Sequence, residues 1–268
     1  MSQGDLKKIA LIVMIIDHIG TFIPNAPIWF NYIGRISAPL FIYCSIQAYL
    51  HTRNKVNYLL RLYCFSLIVA AGNMVVYIIS KKANLNLEII RNNFIGTLFI
   101  CVGIVFLYEK INNKWMFLIA IAVWQVLSII IIYITEVTSF MGNVFGTEAF
   151  SIVLYAGLGI IPFCEGGFAI IILYLLLYFT EKYKNRVAVC ASYALYTILL
   201  QFLILRYYDH PNPLFGVLLP FPKYQGFMIL AVPIIWYYNG TKGKALKYFY
   251  YIFYPVHIWA LFFIGAFW

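Results

Sequence analysis

Apolar runs separated by short polar breaks divide the chain into ten stretches. They cover 6–23, 28–50, 58–80, 94–108, 115–134, 149–163, 166–179, 187–206, 225–238 and 248–267. A helix needs ~20 apolar residues to cross the ~30 Å hydrocarbon core of a bilayer. Most of these stretches approach that length. The pattern therefore predicts an all-α fold, a polytopic transmembrane helical bundle of about nine to ten membrane helices, in a single domain over 1–268. Stretch 149–163 stands apart. It is short, carries Gly157 and Gly159, and meets Pro162 near its end. It reads as a re-entrant segment rather than a full crossing. No internal repeat is visible, and no polar segment is long enough for a soluble domain.

Composition narrows the class. The chain is 64% apolar and 10% charged, against ~45–50% and ~25% in an average soluble domain. A water-soluble shell cannot be built from so few charges. Disorder, which needs low hydrophobicity, is excluded by the same figures. The five cysteines are scattered and form no CxxC pair, so neither a disulfide scaffold nor a metal or redox motif is expected.

The net charge of +10 comes from 19 basic and 9 acidic residues. In a soluble protein it would point to nucleic acid. Here no loop interleaves basic and aromatic residues, so no nucleic-acid partner is expected. The positive-inside rule explains the excess better. With the N-terminus cytoplasmic and 149–163 dipping in and returning, twelve basic residues fall inside: Lys7, Lys8, Arg53, Lys55, Lys110, Lys114, Lys182, Lys184, Arg186, Lys242, Lys244 and Lys247. Four fall outside, namely Lys81, Lys82, Arg91 and Lys223. A full crossing at 149–163 would turn the basic loops 180–186 and 239–247 outward. The reading is thus nine crossings plus one re-entrant piece, with the C-terminus extracytoplasmic. Lys7 and Lys8 ahead of an apolar run imitate a secretory signal. Asp17-His18 interrupts that run and no small-x-small site follows, so it is read as a retained first span.

Ionisable groups inside spans are costly and mark function by default. They are Asp17, His18, Arg35, Arg61, Glu165 and His257. Asp17, His18 and Arg35 fall at similar depth in two spans joined by a short loop. Asp17 and His18 point ~100° apart on a helix. Asp17 is therefore free to pair with Arg35 while His18 faces a cavity. A purely structural Asp–Arg pair is the alternative. Lys7 and His18, eleven residues apart, share one helix face and lie ~16 Å apart along the axis. That face suits an elongated ligand with an anionic head and a reactive far end, although Lys7 and Lys8 also serve as orientation anchors. Lys7, Lys8, Arg53 and Arg61 form a basic group at the inner surface, suited to phosphates or to anionic lipid headgroups. Glu165, before Gly166-Gly167, is either an acid/base or acceptor-binding group or an exposed loop carboxylate. His257, after Tyr254-Pro255-Val256, either lines a cavity or bonds a neighbouring helix.

The residues resemble a known family. Leu6-Lys7-Lys8-Ile9-Ala10-Leu11, Ile16-Asp17-His18-Ile19-Gly20 and the run from Ile33-Gly34-Arg35 to Pro39-Leu40-Phe41 look like the TraX family, as do Arg53, Tyr58-Leu59-Leu60-Arg61-Leu62 and the closing Phe253-Tyr254-Pro255-Val256-His257. The resemblance covers nearly the whole chain in order and hydropathy. Its specific motifs lie in the first sixty and last twenty residues. The TraX family is named for a protein that acetylates the N-terminus of conjugative pilin. It is similar to the acyltransferase-three superfamily, whose first helix carries a basic residue, ten intervening residues and a histidine. Lys7 and His18 match that spacing, with Lys where Arg is usual. The superfamily's Arg-x-x-Arg element is not matched, since Tyr58 and Cys64 flank Arg61 at three residues.

The resemblance implies an acetyl-CoA-dependent acetyltransferase in the bacterial cytoplasmic membrane. Lys7, Lys8, Arg53 and Arg61 would hold the donor's phosphates. His18 would act as general base or transient acetyl carrier. Asp17 would orient His18 or pair with Arg35, and Arg35 would stabilise the oxyanion. Glu165 and His257 would bind the acceptor, a peptide or protein amine first and a sugar hydroxyl second. Membrane lipids are the remaining partner, and no metal is implied. A secondary transporter and a non-enzymatic membrane partner are the alternatives.

Overall fold

The computed structural model describes residues 1–83, 90, 93–138, 147–183, 185–211, 220–244 and 248–267; the basic loop residues Arg91, Lys184 and Lys247 lie outside them. The described residues are helical, with no strand among them. The helices are α1 (Gln3–Phe22), α2 (Trp29–Gly34), α3 (Ser37–His51), α4 (Lys55–Lys82), α5 (Phe94–Lys110), α6 (Lys114–Thr138), α7 (Thr147–Leu158), α8 (Gly167–Lys182), α9 (Arg186–Asp209), α10 (Ala231–Trp236) and α11 (Phe249–Phe267). Among the described residues four segments are long and apolar enough to cross a bilayer: Lys55–Lys82, Lys114–Thr135, Arg186–Asp209 and Phe249–Phe267. Much of α6 presents its apolar residues outward, Leu118, Ile119, Val126 and Ile130 among them. Such a surface is stable against lipid tails and not against water. The chain folds as two units, Met1–His51 with Ile172–Trp268, and Thr52–Ile171.

The first unit is organised around α1. Ser2 caps the helix, accepting from the Asp5 amide at 3.3 Å while Asp5 accepts the Ser2 amide at 3.0 Å. The Ser2 amide and the Ser2 hydroxyl, which donates to the same carboxylate at 2.8 Å, hold the Asp5 carboxyl below its ordinary range. Two further open amides of the first turn, Gln3 and Gly4, donate to the carbonyls of Thr241 and Lys242 at 2.8 and 3.1 Å. The lysine-bearing segment after α10 is thereby pinned across the start of α1, where unpaired helix amides need acceptors.

Helix α3 runs antiparallel to α1. Ser37 reaches the Ala10 carbonyl at 3.1 Å, and Gln3 reaches the Cys44 carbonyl at 2.8 Å. Helix α11 runs parallel to α1. Lys7 lies 5.8 Å from the Tyr250 ring, and His18 meets His257. The start of α1 and the end of α11 therefore lie at opposite ends of this unit.

Two predicted spans are built differently from simple helices. Stretch 28–50 is broken between α2 and α3, at Arg35-Ile36. Pro39 explains the break, because its ring clashes with the carbonyl four residues back, which belongs to Arg35. Stretch 225–238 is a 3-10 turn, Gln225–Leu230, followed by the short α10. Side chains of α9 hold that turn: Gln201 accepts the Gly226 amide and donates to the Lys223 carbonyl, and Tyr193 donates to the Met228 carbonyl, at 2.5, 2.7 and 2.5 Å.

In the second unit α4 packs on α5 and α7, and α6 packs on α5 and α7. With 12 residues, α7 is ~18 Å long, short of a ~30 Å core. It ends at Gly159, whose φ of +64° is left-handed and open to glycine at little cost. Backbone that leaves a helix among apolar residues needs protein groups to satisfy it, and α6 supplies them. Trp124 donates to the Leu158 carbonyl at 2.8 Å. Gln125 donates to the Gly159 carbonyl at 3.2 Å and accepts the Ile161 amide at 3.0 Å. Replacing Gln125 with Leu strands both groups, so it should cost about 1–3 kcal/mol of stability. Denaturant unfolding in detergent micelles checks this, and an unchanged midpoint would show that Gln125 is not needed to hold the break.

Candidate functional site

Within α1, the run Ile16-Asp17-His18-Ile19-Gly20 places two ionisable groups on different sides of one turn. Each finds a separate partner. Arg35, standing in the break after α2, donates through one terminal nitrogen to both Asp17 oxygens, at 2.6 and 2.8 Å. Its Nε donates to the Asn31 carbonyl at 3.2 Å, and its other terminal nitrogen to Gln225 Oε1 at 3.4 Å. Asn31 adds a donor to the Asp17 carbonyl at 3.2 Å. The pair is largely covered, with side chains 15% (Asp17) and 22% (Arg35) exposed.

Glycine makes this pairing possible. A Cβ at Gly34 would land on the Asp17 side chain, and one at Gly20 would press on Asn31 and Phe30. The Gly20 and Gly34 positions let α2 lie against α1 closely enough for Arg35 to reach Asp17. Asp17 is thus engaged by Arg35, and its carboxylate accepts no hydrogen bond from His18.

His18 lies on another side of α1 and is 6% exposed. Its Nδ1 is 2.7 Å from Nε2 of His257. The two rings sit 4.9 Å apart, 24° from parallel. His257 is also buried, and its Nδ1 meets the Phe253 carbonyl at 2.7 Å. Phe22 tilts against His18 at 5.9 Å, and Phe253 stacks on His257 at 5.1 Å. His257, expected to line an acceptor site or to bond a neighbouring helix, has both ring nitrogens engaged, one by its own helix and one by His18. Lys7 sits on the same α11-facing side of α1, ~16 Å away along the axis.

A third group of polar residues lies at the end of this unit where α1 begins. Gln47, His51, Glu181, Lys182, Arg186 and Tyr238 line a cleft of about 520 Å³. Arg186 donates to the Tyr43 hydroxyl at 2.8 Å, and that hydroxyl donates to Glu181 at 2.9 Å. Gln47 donates to the second Glu181 oxygen at 2.6 Å. The guanidinium of Arg186 lies 5.8 Å from the Tyr43 ring and 5.1 Å from the Tyr238 ring, and it bonds the Ile235 carbonyl at 2.9 Å. In the sequence Lys182 and Arg186 stand only as loop charges, and Glu181 belongs to no motif. Their one sequence signal was a carboxylate between Thr180 and Lys182 at the close of an apolar run.

The remaining predicted residues are placed as follows. Lys8 is exposed and 3.6 Å from Asp5. Arg53, Arg61 and Glu165 belong to the second unit. Arg53 is exposed before α4. Arg61 is half-buried, 5.2 Å over the Tyr58 ring. Glu165 is half-buried in the turn before α8, where its carbonyl accepts from Thr97 at 3.1 Å.

These observations define a helical membrane protein whose first helix supplies one member each to a buried histidine pair and to a covered carboxylate–guanidinium pair. The family model described as TraX protein matches residues 2–144. The chain belongs to the TraX family. No curated protein and no solved structure matches it at a significant level.

Proposed function

We propose that the chain is an integral-membrane acetyltransferase that moves the acetyl group of acetyl-CoA to an extracytoplasmic or membrane-associated acceptor. A peptide or protein amine is the first choice and a sugar hydroxyl the second. One observation carries the reading. His18 is buried, fixed by a partner ring, and shares a face of α1 with the Lys7 cation. A positioned imidazole in an apolar span is suited to proton transfer from an acceptor. The family membership supports the same activity.

In this reading the end of the unit that carries Lys7, Lys8, Lys182, Arg186, Lys242 and Lys244 faces the cytoplasm, where basic residues are retained and where acetyl-CoA is available. Its phosphates meet Lys7 and the Arg186 cleft, and the acetyl end extends along α1 toward His18. Arg186 is the residue to test there. A charge-assisted hydrogen bond is worth about 1.5–3 kcal/mol, so Arg186→Gln should raise KM for acetyl-CoA about 10- to 100-fold and leave kcat little changed. An unchanged KM in folded protein would remove the cleft from the donor site.

The activity itself is tested by incubating membranes that contain the protein with isotopically labelled acetyl-CoA. Label should enter a protein, peptide or glycan, and membranes lacking the protein should show none. Folded protein that transfers no label would overturn the reading. Solute uptake into vesicles without any acetyl donor would support a transporter in its place.

A further inference from the structure

His257 does more than cover His18. We propose that His257 is a positioning residue that dictates which nitrogen of His18 carries its proton, leaving Nε2 of His18 as the base. This rests on the acetyltransferase reading of His18.

The deduction begins at Phe253. Its carbonyl lies 2.7 Å from His257 Nδ1. A carbonyl oxygen only accepts, so this ring nitrogen carries a hydrogen. The other nitrogen of neutral His257, Nε2, then has only a lone pair. That lone pair faces His18 Nδ1 at 2.7 Å, so the bridging hydrogen belongs to His18. His18 is held in the Nδ1–H form, the less common one for an unconstrained histidine side chain. Its Nε2 keeps a lone pair. The order of bonds runs from His18 to His257 to the α11 backbone, and each donor has an acceptor.

The sequence builds this chain in one helical turn. Phe253 and His257 are four residues apart, so the carbonyl of one and the ring of the other lie on one side of α11. The Phe253 ring also stacks on His257 at 5.1 Å, which limits its rotation. Burial of both imidazoles keeps water from competing for the bridge.

The consequence for transfer is direct. An acceptor amine, R–NH2, attacks the thioester carbonyl of acetyl-CoA. The new C–N bond forms as the C–S bond breaks, and the amine proton passes to His18 Nε2. The imidazolium keeps its Nδ1–H bond to His257. His18 then returns the proton to the departing sulfur, giving CoA–SH and a neutral imidazole. No proton is gained or lost overall. Had Nε2 carried the hydrogen at the start, the first proton would have had no lone pair to enter.

Two measurements test the proposal. The first uses ¹⁵N-histidine NMR of the protein in micelles. The four histidines are assigned by single substitutions at His18, His51, His210 and His257. His18 should show a protonated Nδ1 and an unprotonated Nε2, and in His257→Leu that preference should be lost. Finding Nε2 protonated in the unaltered protein would overturn the proposal. The second is kinetic. His257→Leu removes the acceptor and should lower kcat about 100-fold with KM for acetyl-CoA unchanged. His257→Gln places a side-chain carbonyl near the position of Nε2 and should recover kcat to within about 10-fold of the unaltered enzyme. Full activity in His257→Leu, with His18→Ala inactive, would remove His257 from the mechanism and leave the acetyltransferase reading intact. Full activity in His18→Ala would sink that reading and the role of His257 together.

Discussion

Acetyl transfer should fall about 10²- to 10⁴-fold when His18 is replaced by Ala, the range expected for loss of a positioned general base. That is about 3–5 kcal/mol of transition-state stabilisation. The effect belongs in kcat, because His18 is ~16 Å along α1 from the cationic end assigned to the donor's phosphates. KM for acetyl-CoA should therefore stay near its original value. The substitution removes a ring that packs on Phe22 and His257, and some stability goes with it. His18→Gln keeps most of the volume and a polar group but supplies no base. Loss of activity in both variants, with normal membrane insertion and unfolding midpoints close to the parent, separates chemistry from folding. Transfer at the parental rate in either folded variant would end the assignment.

Removing either member of the Asp17–Arg35 pair should cost about 3–5 kcal/mol of stability, because each would leave its partner charged and mostly covered. Asp17→Ala strands a guanidinium in an apolar span. Arg35→Ala strands a carboxylate whose other donor, Asn31, lies at 3.4 Å. The double replacement leaves no orphan charge and should cost less than the sum of the two, so a double-mutant cycle should return a coupling of several kcal/mol. Strict additivity in detergent unfolding would show that the pair contributes no mutual stabilisation. The double variant also separates two roles for Arg35. Its nitrogens are engaged by Asp17, Asn31 and Gln225, and a structural role predicts that activity returns with folding. A folded but inactive double variant would assign Arg35 to oxyanion stabilisation instead.

The same geometry explains residues that carried the family resemblance. Gly20 and Gly34 admit α2 against α1, Arg35 fills the covered site that results, and Pro39 breaks the helix where Arg35 must turn. The terminal Tyr254-Pro255-Val256-His257 element ends in the ring that meets His18. The Ile16-Asp17-His18 element and the closing element, far apart in the chain, therefore meet within the first unit through His18 and His257.

Much of this protein was determined by its sequence alone. Membrane class, helical architecture and most helix positions follow from the length and spacing of apolar runs, because a bilayer rewards continuous apolar surface and internally bonded backbone. Stretch 94–108 became Phe94–Lys110, and 6–23 became Gln3–Phe22. The rarity of charge within those runs singles out Asp17, His18, Arg35, Arg61, Glu165 and His257, of which the first unit pairs Asp17 with Arg35 and His18 with His257. Hydropathy measures composition and carries no record of hydrogen bonding, so the break at Arg35-Ile36 and the 3-10 turn at 225–230 were invisible to it. Partner choice belonged to tertiary structure. Asp17 could not be assigned to Arg35 over His18 until glycine contacts fixed the approach of α2. His18 could not be joined to His257, 239 residues away, until α11 was seen parallel to α1. Arg186 reads as a loop charge and Glu181 belongs to no motif until the fold sets Tyr43 between them. A side chain's cost of burial is written in its own chemistry, but the group that offsets that cost is supplied by whichever helix packs beside it.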